Sequence, residues 1–207
     1  MFTLRGVVIE HEGRRPRIAA SAYVAPNAVV SGDVTVGEDC RILFGAVLTA
    51  EHDGAIALGE RCIVMENALI RGRPGHRTVV GDHVIVGPHA HLNGVEIGAD
   101  AFVATGASLF PGARVGARAE VRIGGVVHVN SSLPDDGLVP IGWVAVGDPA
   151  TVLSPDRHDE IWAIQRELDF PGTVFGLDRP PEGKTIAPAV TRRYADLFGR
   201  HRDDRLV

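Results

Sequence analysis

Aliphatic residues recur at every sixth position along most of this chain, with polar or small residues between them. The series runs through Ile18, Val24, Val30, Val36, Ile42 and Leu48, then Leu58, Val64 and Ile70, then Val80, Val86 and Leu92, then Ile97, Val103 and Leu109, and finally Val115, Val121 and Val127. A helical pattern repeats every 3.6 residues, and hairpin strands would not keep a spacing of six over so many positions. The spacing therefore predicts an all-β repeat fold.

The residues around each aliphatic position indicate the shape of the repeat. Gly often follows the aliphatic residue, and a small residue, usually Ala, stands four positions after it. This pattern predicts a three-sided coil whose aliphatic residues point inward and whose glycines allow the backbone angles of the corners. Coils stacked roughly 4.8 Å apart would form a prism of about six or seven coils.

Two interruptions of the repeat are candidate functional loops, because a rigid solenoid usually carries its function on extruded segments. They are Thr49–Ala57 and Arg71–Val79. Near the end of the repeat, residues 131–142 are interpreted as a loop, and Trp143–Val146 as a closing strand.

The last part of the chain predicts helices. Ser154 and Pro155 are interpreted as the start of a first helix, and Phe170–Gly172 as its end. A second short helix is expected around Ala189–Phe198. The predicted organisation is a lead-in strand in residues 1–17, a β-helix in residues 18–150 and a helical extension in residues 151–207.

Composition narrows the function. The chain has a net charge of −5 and a pI near 6.0, which argues against a nucleic-acid partner. We expect no membrane partner, because no apolar run approaches about 20 residues. The N-terminal residues do not resemble a signal peptide, so a cytoplasmic protein is expected. Both cysteines, Cys40 and Cys62, occupy small inward positions and are predicted to be core residues.

Residues 18–151 resemble the gamma-class carbonic anhydrase branch of the hexapeptide-repeat acyltransferase superfamily. The resemblance rests on Pro74–Thr78 leading into Val80–His83, on the five-residue step from Leu92 to Ile97, and on the ending Gly147–Ala150. It implies a left-handed parallel β-helix with a C-terminal α-helical extension. It also implies a homotrimer with sites between subunits.

The resemblance places three zinc-binding histidines at positions that carry other residues here. These positions are Arg71, Pro88 and Asn93. The family's Arg-Gly-Asp is replaced by Thr49-Ala50-Glu51, and its Gln-Asp pair by Met65-Glu66. We therefore expect neither zinc at the family position nor ordinary carbonic anhydrase activity, and the sequence assigns no metal ligand.

Polar residues that could do other chemistry remain around the same positions. On one strand His91 and Asn93 are expected to point outward on either side of Leu92. A histidine beside an amide, a guanidinium and carboxylates can act as a general base with an anion-holding partner. The predicted catalytic residues are His91, His89, Asn93, Glu51 and Glu66, and the predicted substrate-binding residues are Arg71, Thr49 and His52.

Three functions remain open at this point. The first is acyl transfer to a small molecule, with acetyl-CoA as a possible cosubstrate and His89 or His91 as base, although Thr151 stands where relatives often carry a basic residue. The second is a remodelled lyase or hydratase acting on a small carboxylate, with a displaced metal site at His52, His89 and His91 as one form of it. The third is a non-catalytic trimeric ligand-binding scaffold. His76 and His83 are expected to have structural roles.

Overall fold

The aliphatic positions of the repeat form the inner ladders of three parallel β-sheets. The computed structural model describes residues 6–207; residues 1–5, which begin the predicted lead-in strand, lie outside the described part. Leu48 pairs in register with Ile70, and Ile70 with Leu92. All three side chains are fully buried. The prediction of a parallel β-helix with a C-terminal helical extension is confirmed.

The three sheets form the faces of the prism. The first face has parallel strands at Val7–Glu10, Val29–Ser31, Val47–Ala50, Leu69–Gly72, His91–Asn93, Ser108–Leu109, Val126–Val127 and Val144–Val146. The second face has strands at Arg17–Ile18, Val34–Val36, Ile56–Leu58, Thr78–Val80, Glu96–Ile97, Arg114–Val115 and Ser132–Leu133. The third face has strands at Tyr23–Val24, Arg41–Ile42, Ile63–Val64, Ile85–Val86, Phe102–Val103, Glu120–Val121 and Leu138–Val139.

The prism has about eight turns, more than the expected six or seven. The interpretation of residues 131–142 as a loop was wrong, because this segment contributes Ser132–Leu133 and Leu138–Val139 to two faces. Leu133 and Val139 are buried in the same ladders as the earlier aliphatic residues. The spacing of six thus continues after Val127 through Leu133 and Val139.

Three α-helices follow the prism: α1 spans His158–Gln165, α2 spans Phe170–Phe175 and α3 spans Ala187–Gly199. Short 3-10 turns follow α1 at Arg166–Leu168 and α3 at Arg200–Asp203. The expected second helix is confirmed as α3. No helix of residues 6–207 is long and apolar enough to cross a membrane.

Two helix boundaries were predicted wrongly. The first helix does not begin at Ser154, because Ser154 accepts a hydrogen bond from the Arg157 amide in a separate turn. Phe170–Gly172 begins α2 instead of ending α1. The Asp169 carboxylate accepts a hydrogen bond from the Gly172 amide, and Pro171 suits the first turn of a helix.

The C-terminal segment crosses the first face from the last coil back to the first. We call residues 158–204 the strap. At one end Ile161 packs on Val146 and Leu153. At the other end the strand Arg205–Leu206 pairs antiparallel with Val7–Glu10. The strap therefore covers the face on which the sequence places its candidate site.

Candidate functional site

The strand register brings three predicted site residues side by side on the first face. Arg71 lies between Thr49 on the preceding strand and Asn93 on the following strand. Residues in register on neighbouring parallel strands are about 4.8 Å apart and point to the same side. The expectation that these side chains share one patch is met within a single chain.

The Arg71 side chain is held on both sides. Its guanidinium forms an ion pair with Glu51, whose side chain is almost fully buried. The same guanidinium lies over the ring of Phe198 in α3, 5.3 Å from the centroid. Desolvation makes a lone charge costly at such a place, so the pair and the ring hold Arg71 in position.

His91 lies further along the same face and belongs to a row of stacked rings. Its ring meets Phe110 edge-on, with 6.2 Å between centroids. The pKa of His91 is lowered, first by burial and then by the charge of Arg71. His91 is therefore neutral at pH 7. The row continues through His128 on the same face and then through the strap residues Phe170, Phe175, Tyr194, Phe198 and His201.

His89 and Glu66 lie away from Arg71, at the edge between the third and first faces. The backbone amide of His89 donates a hydrogen bond to the carbonyl of Glu66, 3.0 Å away, one coil below. The corner conformation of His89 has a φ of 56°. Within one chain the predicted catalytic residues thus form two separate groups.

His52 lies in the first extruded loop and contacts the N-terminal coil. Its Nδ1 atom is 3.0 Å from Glu12 Oε2, and Arg200 is 3.0 Å from the other oxygen of that carboxylate. In residues 6–207, His52, His89 and His91 do not form a cluster whose ligand atoms lie within 4.8 Å of one another. A single chain therefore does not build the displaced metal site that the sequence left open.

A cleft of about 450 Å³ lies between the two extruded loops and the strap. We call it the strap cleft. Its lining includes the cationic and imidazole side chains of His52, Arg73, His76, Arg193 and Arg200, together with Tyr194 and Asp196. A smaller cavity of about 30 Å³ lies beside it, between Arg71, Arg73 and Asn93. The buried Arg73 Nε–H has no hydrogen-bond partner and can donate to an anionic ligand, whereas the unpartnered Asn93 Oδ1 is an acceptor that suits a donor group of the ligand.

Two further grooves lie next to the strap cleft. The second-face groove, of about 650 Å³, runs along apolar strand residues and includes Arg77, Glu96 and Arg114. The corner groove, of about 250 Å³, shares these three residues and also includes His76. His76 also lines the strap cleft. The corner groove therefore shares lining residues with the second-face groove on one side and with the strap cleft on the other.

His76 was expected to be structural, and sequence reasoning missed its position at this junction. Burial, and then the neighbouring charge of Arg73, lower the pKa of His76, so its imidazole is neutral at pH 7. Arg73 and His76 close the extruded loop with two backbone hydrogen bonds of 3.1 and 3.0 Å. In the sequence, only the length of the second interruption, Arg71–Val79, indicated that His76 lies on an extruded loop.

Buried contacts fix this loop on the prism. The Thr78 hydroxyl donates a 2.6 Å hydrogen bond to the Arg71 carbonyl and accepts a 3.0 Å bond from the Gly94 amide. Gly94 lies so close to the loop that a β-carbon there would be 2.6 Å from His76 Cβ. The strand that carries Arg71 and the loop that carries His76 are therefore held as one unit.

Comparison with known proteins agrees with this architecture. No family model matches the chain. The mitochondrial gamma carbonic anhydrase 1 of Arabidopsis thaliana is 30% identical over 159 residues, which cover 74% of this chain and 55% of the relative. A carbonic anhydrase of Geobacillus kaustophilus is 26% identical over 160 residues and is covered to 84%. The chain is thus similar in sequence to gamma carbonic anhydrases, which matches the resemblance found in its repeat. It spans about half the length of the plant relatives it matches.

Solved structures with this fold include transferases. A hexapeptide transferase family protein of Anaplasma phagocytophilum has a TM-score of 0.51 and 27% identity, covering 78% of this chain and 92% of that protein. PerB of Caulobacter crescentus, solved with CoA and GDP-perosamine, has a TM-score of 0.50 and 29% identity, covering 64% of this chain and 57% of that protein.

The family's zinc does not fit the residues that this gamma carbonic anhydrase-like protein carries. At the three positions that the resemblance assigns to zinc ligands, Arg71 is cationic and already paired with Glu51. Pro88 has no side-chain atom that could bind zinc, and Asn93 offers only one uncharged amide oxygen. Such a set does not match the three imidazoles that hold the family's zinc, so the residues at these positions do not fit that ion.

Proposed function

We propose that this gamma carbonic anhydrase-like protein is a zinc-independent acyltransferase that acts on a small anionic acceptor and uses acetyl-CoA as donor. One observation carries the proposal: His76, whose imidazole is neutral, lines both the strap cleft and the corner groove, and the corner groove shares Arg77, Glu96 and Arg114 with the second-face groove. An elongated donor and a compact acceptor can therefore approach the same imidazole from two sides.

In this proposal the donor lies in the second-face groove. Arg77 and Arg114 line it at its junction with the corner groove and would bind the phosphate groups of CoA. Guanidinium groups suit phosphate because they donate two parallel hydrogen bonds. The apolar strand residues beside them would contact the adenosine, and the pantetheine arm would extend from the arginines through the corner groove, so that the thioester reaches His76.

The acceptor lies in the strap cleft, where Arg73 and Arg193 would hold its anionic group. The neutral imidazole of His76 takes the proton from the acceptor's amine or hydroxyl as that atom attacks the thioester carbonyl. The tetrahedral intermediate collapses, the carbon–sulfur bond breaks, and the CoA thiolate takes the proton from the imidazolium. The products are the acylated acceptor and free CoA.

The proposal includes a homotrimer with the site between subunits, as the sequence predicted. One edge of the prism supports it: Phe44, Ile123 and Ile141 protrude from it at 51%, 54% and 64% exposure. Corner residues of successive coils stack along this edge through backbone hydrogen bonds, and Glu66 and His89 belong to it. In the trimer this edge would bring Glu66 and His89 of one protomer to Arg71 and Asn93 of the next.

The oligomer is tested by light scattering after gel filtration. The double variant Ile123→Glu/Ile141→Glu should dissociate the trimer, whereas Ile123→Val/Ile141→Val should keep it. A monomeric wild-type protein would contradict the trimer.

Donor binding is tested with CoA and acetyl-CoA by calorimetry and by melting temperature. The double variant Arg77→Ala/Arg114→Ala should weaken binding at least about tenfold, because two charge-assisted contacts are lost. Arg118→Ala, which removes an exposed arginine outside the three grooves, is the matched control. No binding to the wild type, or equal binding to the double variant, would refute the proposed donor site.

The base is tested by acetyl transfer to a panel of amino sugars and amino acids. His76→Ala should abolish transfer while leaving the affinity for CoA within about twofold. If His91→Ala abolishes transfer and His76→Ala does not, the base is His91 and the acceptor site must be placed on the first face.

The closed Arg71–Glu51–Phe198 contact favours a second candidate, a non-catalytic ligand-binding scaffold. This candidate predicts binding of small anions in the strap cleft with no transfer to any acceptor. The same assays separate it from the acyltransferase.

A further inference from the structure

We propose a second site in this protein, a divalent transition-metal site formed by His11, His201 and Asp204. It lies at the N-terminal end of the prism, away from the family's zinc position. One ligand atom from each of these side chains lies within 4.8 Å of the others. His11 Nδ1 is 2.6 Å from one oxygen of Asp204, and His201 Nδ1 is 2.9 Å from the other.

The donor set suits zinc and its neighbours in the transition series. Two imidazoles and one carboxylate leave further coordination positions open on a divalent ion. Both imidazoles present the same nitrogen, Nδ1, to the carboxylate, and their rings are stacked with centroids 4.3 Å apart. Side-chain rotations that break both Nδ1–carboxylate hydrogen bonds would bring the three donor atoms to about 2.0–2.2 Å from one ion.

The burial of the cluster also suits a cation. A metal would replace the protons that the two Nδ1 atoms share with the Asp204 carboxylate. His11 is only 2% exposed, so a metal bound there would be shielded from water on one side.

The charges beside the cluster do not oppose a cation strongly. Arg200 precedes His201, and its guanidinium is 3.0 Å from a carboxylate oxygen of Glu12. Glu12 also contacts His52. The pairing with Glu12 largely neutralises Arg200, and the Asp204 carboxylate supplies a negative charge to the metal itself.

The site joins the two ends of the described chain. His11 follows the first strand of the first face, and His201 follows α3 at the end of the strap. Asp204 immediately precedes the strand that pairs with Val7–Glu10. A metal bound there would cross-link the strap to the first coil and stabilise the native state by mass action.

The experiment uses protein purified without a histidine tag and stripped of metal by a chelator. Zinc chloride is titrated by calorimetry, and cobalt chloride reports coordination by its visible absorption. We expect one zinc per chain in the wild type. Since loss of outer-sphere partners alone weakens metal affinity about 10–100-fold, His201→Ala and Asp204→Asn should each weaken it by more than about 100-fold.

The matched control is His83→Ala, because His83 lies 3.3 Å from Asp100 in an exposed histidine–carboxylate pair without a second imidazole. Zinc binding should be unchanged in this variant. His201 and Asp204 are chosen for substitution because His11 is buried and its loss could prevent folding. Circular dichroism of each variant verifies that it is folded.

Hydrogen exchange supplies an independent readout. Zinc should slow exchange in residues 187–207 of the wild type and leave Asp204→Asn unaffected. Absence of zinc binding to the stripped wild type, or unchanged zinc affinity in both His201→Ala and Asp204→Asn, would overturn the proposal. CoA binding is measured separately, so the outcome does not depend on the proposed acyl transfer.

Discussion

The guanidinium of Arg71 lies over the ring of Phe198, 5.3 Å from its centroid, and this contact joins the first face to the strap. Phe198→Ala removes the contact and a ring of the aromatic row. We expect the free energy of unfolding to fall by about 2 kcal/mol. Phe198→Leu, which keeps apolar volume, should lose about half as much. Urea unfolding measures both, and equal stability of Phe198→Ala and wild type would show that the strap does not depend on this contact.

The buried carboxylate of Glu51 is the second partner of Arg71. Glu51→Gln leaves a partly buried guanidinium without its counter-ion, so we expect a loss of about 2–3 kcal/mol in the free energy of unfolding. Glu120→Gln breaks an exposed pair with Arg122 and should change it by less than about 1 kcal/mol. The double variant Arg71→Met/Glu51→Leu should recover most of the loss, since an apolar pair needs no counter-ion. A double variant less stable than Glu51→Gln would contradict this account.

The Thr78 hydroxyl is buried and bonded on both sides. Thr78→Val keeps the shape of the side chain but removes the hydroxyl's bonds to the Arg71 carbonyl and the Gly94 amide, which then keep only the backbone hydrogen bond between them. We expect a loss of about 1–2 kcal/mol in the free energy of unfolding. Thr78→Ser keeps the hydroxyl and should lose less than about 1 kcal/mol. Thermal and urea unfolding of the wild type and the two variants measure these losses. Equal losses in Thr78→Val and Thr78→Ser would show that the buried hydroxyl does not stabilise the protein.

Gly94 has a φ of +63° and lies directly against the loop that carries His76. Gly94→Ala adds a clash to the cost of a left-handed backbone, so it should displace the loop and weaken ligand binding in the strap cleft. Gly106→Ala is the control: its φ is +67°, but nothing lies within 4 Å of the added carbon. It should show only the backbone cost of about 1–2 kcal/mol. Similar losses in both variants would mean that contact with the loop is unimportant.

Burial lowers the pKa of three histidines near the strap, His76, His91 and His128. Their native pKa values lie below that of an unfolded histidine, about 6.5, so the unfolded chain takes up protons first as the pH falls. Above pH 7 these histidines are uncharged in both the native and the unfolded chain, so they do not make the free energy of unfolding depend on pH. As the pH is lowered from about 7 to 5, the free energy of unfolding should decrease.

The variant His128→Phe tests this pH dependence. His128 lies between Phe110 and Phe170, and its Nδ1 atom is buried without a partner. Phenylalanine keeps the ring packing and cannot be protonated, so the slope of melting temperature against pH should become smaller. Replacing the exposed His83 by Gln should leave the slope unchanged. An unchanged slope in His128→Phe would assign the pH dependence to other groups.

The sequence by itself determined the prism, because its core is a local, periodic property. Each aliphatic residue at a spacing of six occupies an equivalent inward place, so the pattern identified Leu48, Ile70 and Leu92 as core residues before any coordinates. The same register predicted that Arg71 and Asn93 are neighbours on one face. Even the absence of the zinc histidines followed from counting along the repeat.

Tertiary structure alone decided what lies on that face. The strap has no period that relates it to the coils, so nothing in the sequence placed Phe198 over Arg71 or His201 beside His11. These contacts join residues more than a hundred positions apart, and they depend on where three short helices dock. Docking is set by the packing of irregular side chains, whereas the prism is set by repetition, and for that reason the fold could be predicted and the contacts of its candidate sites could not.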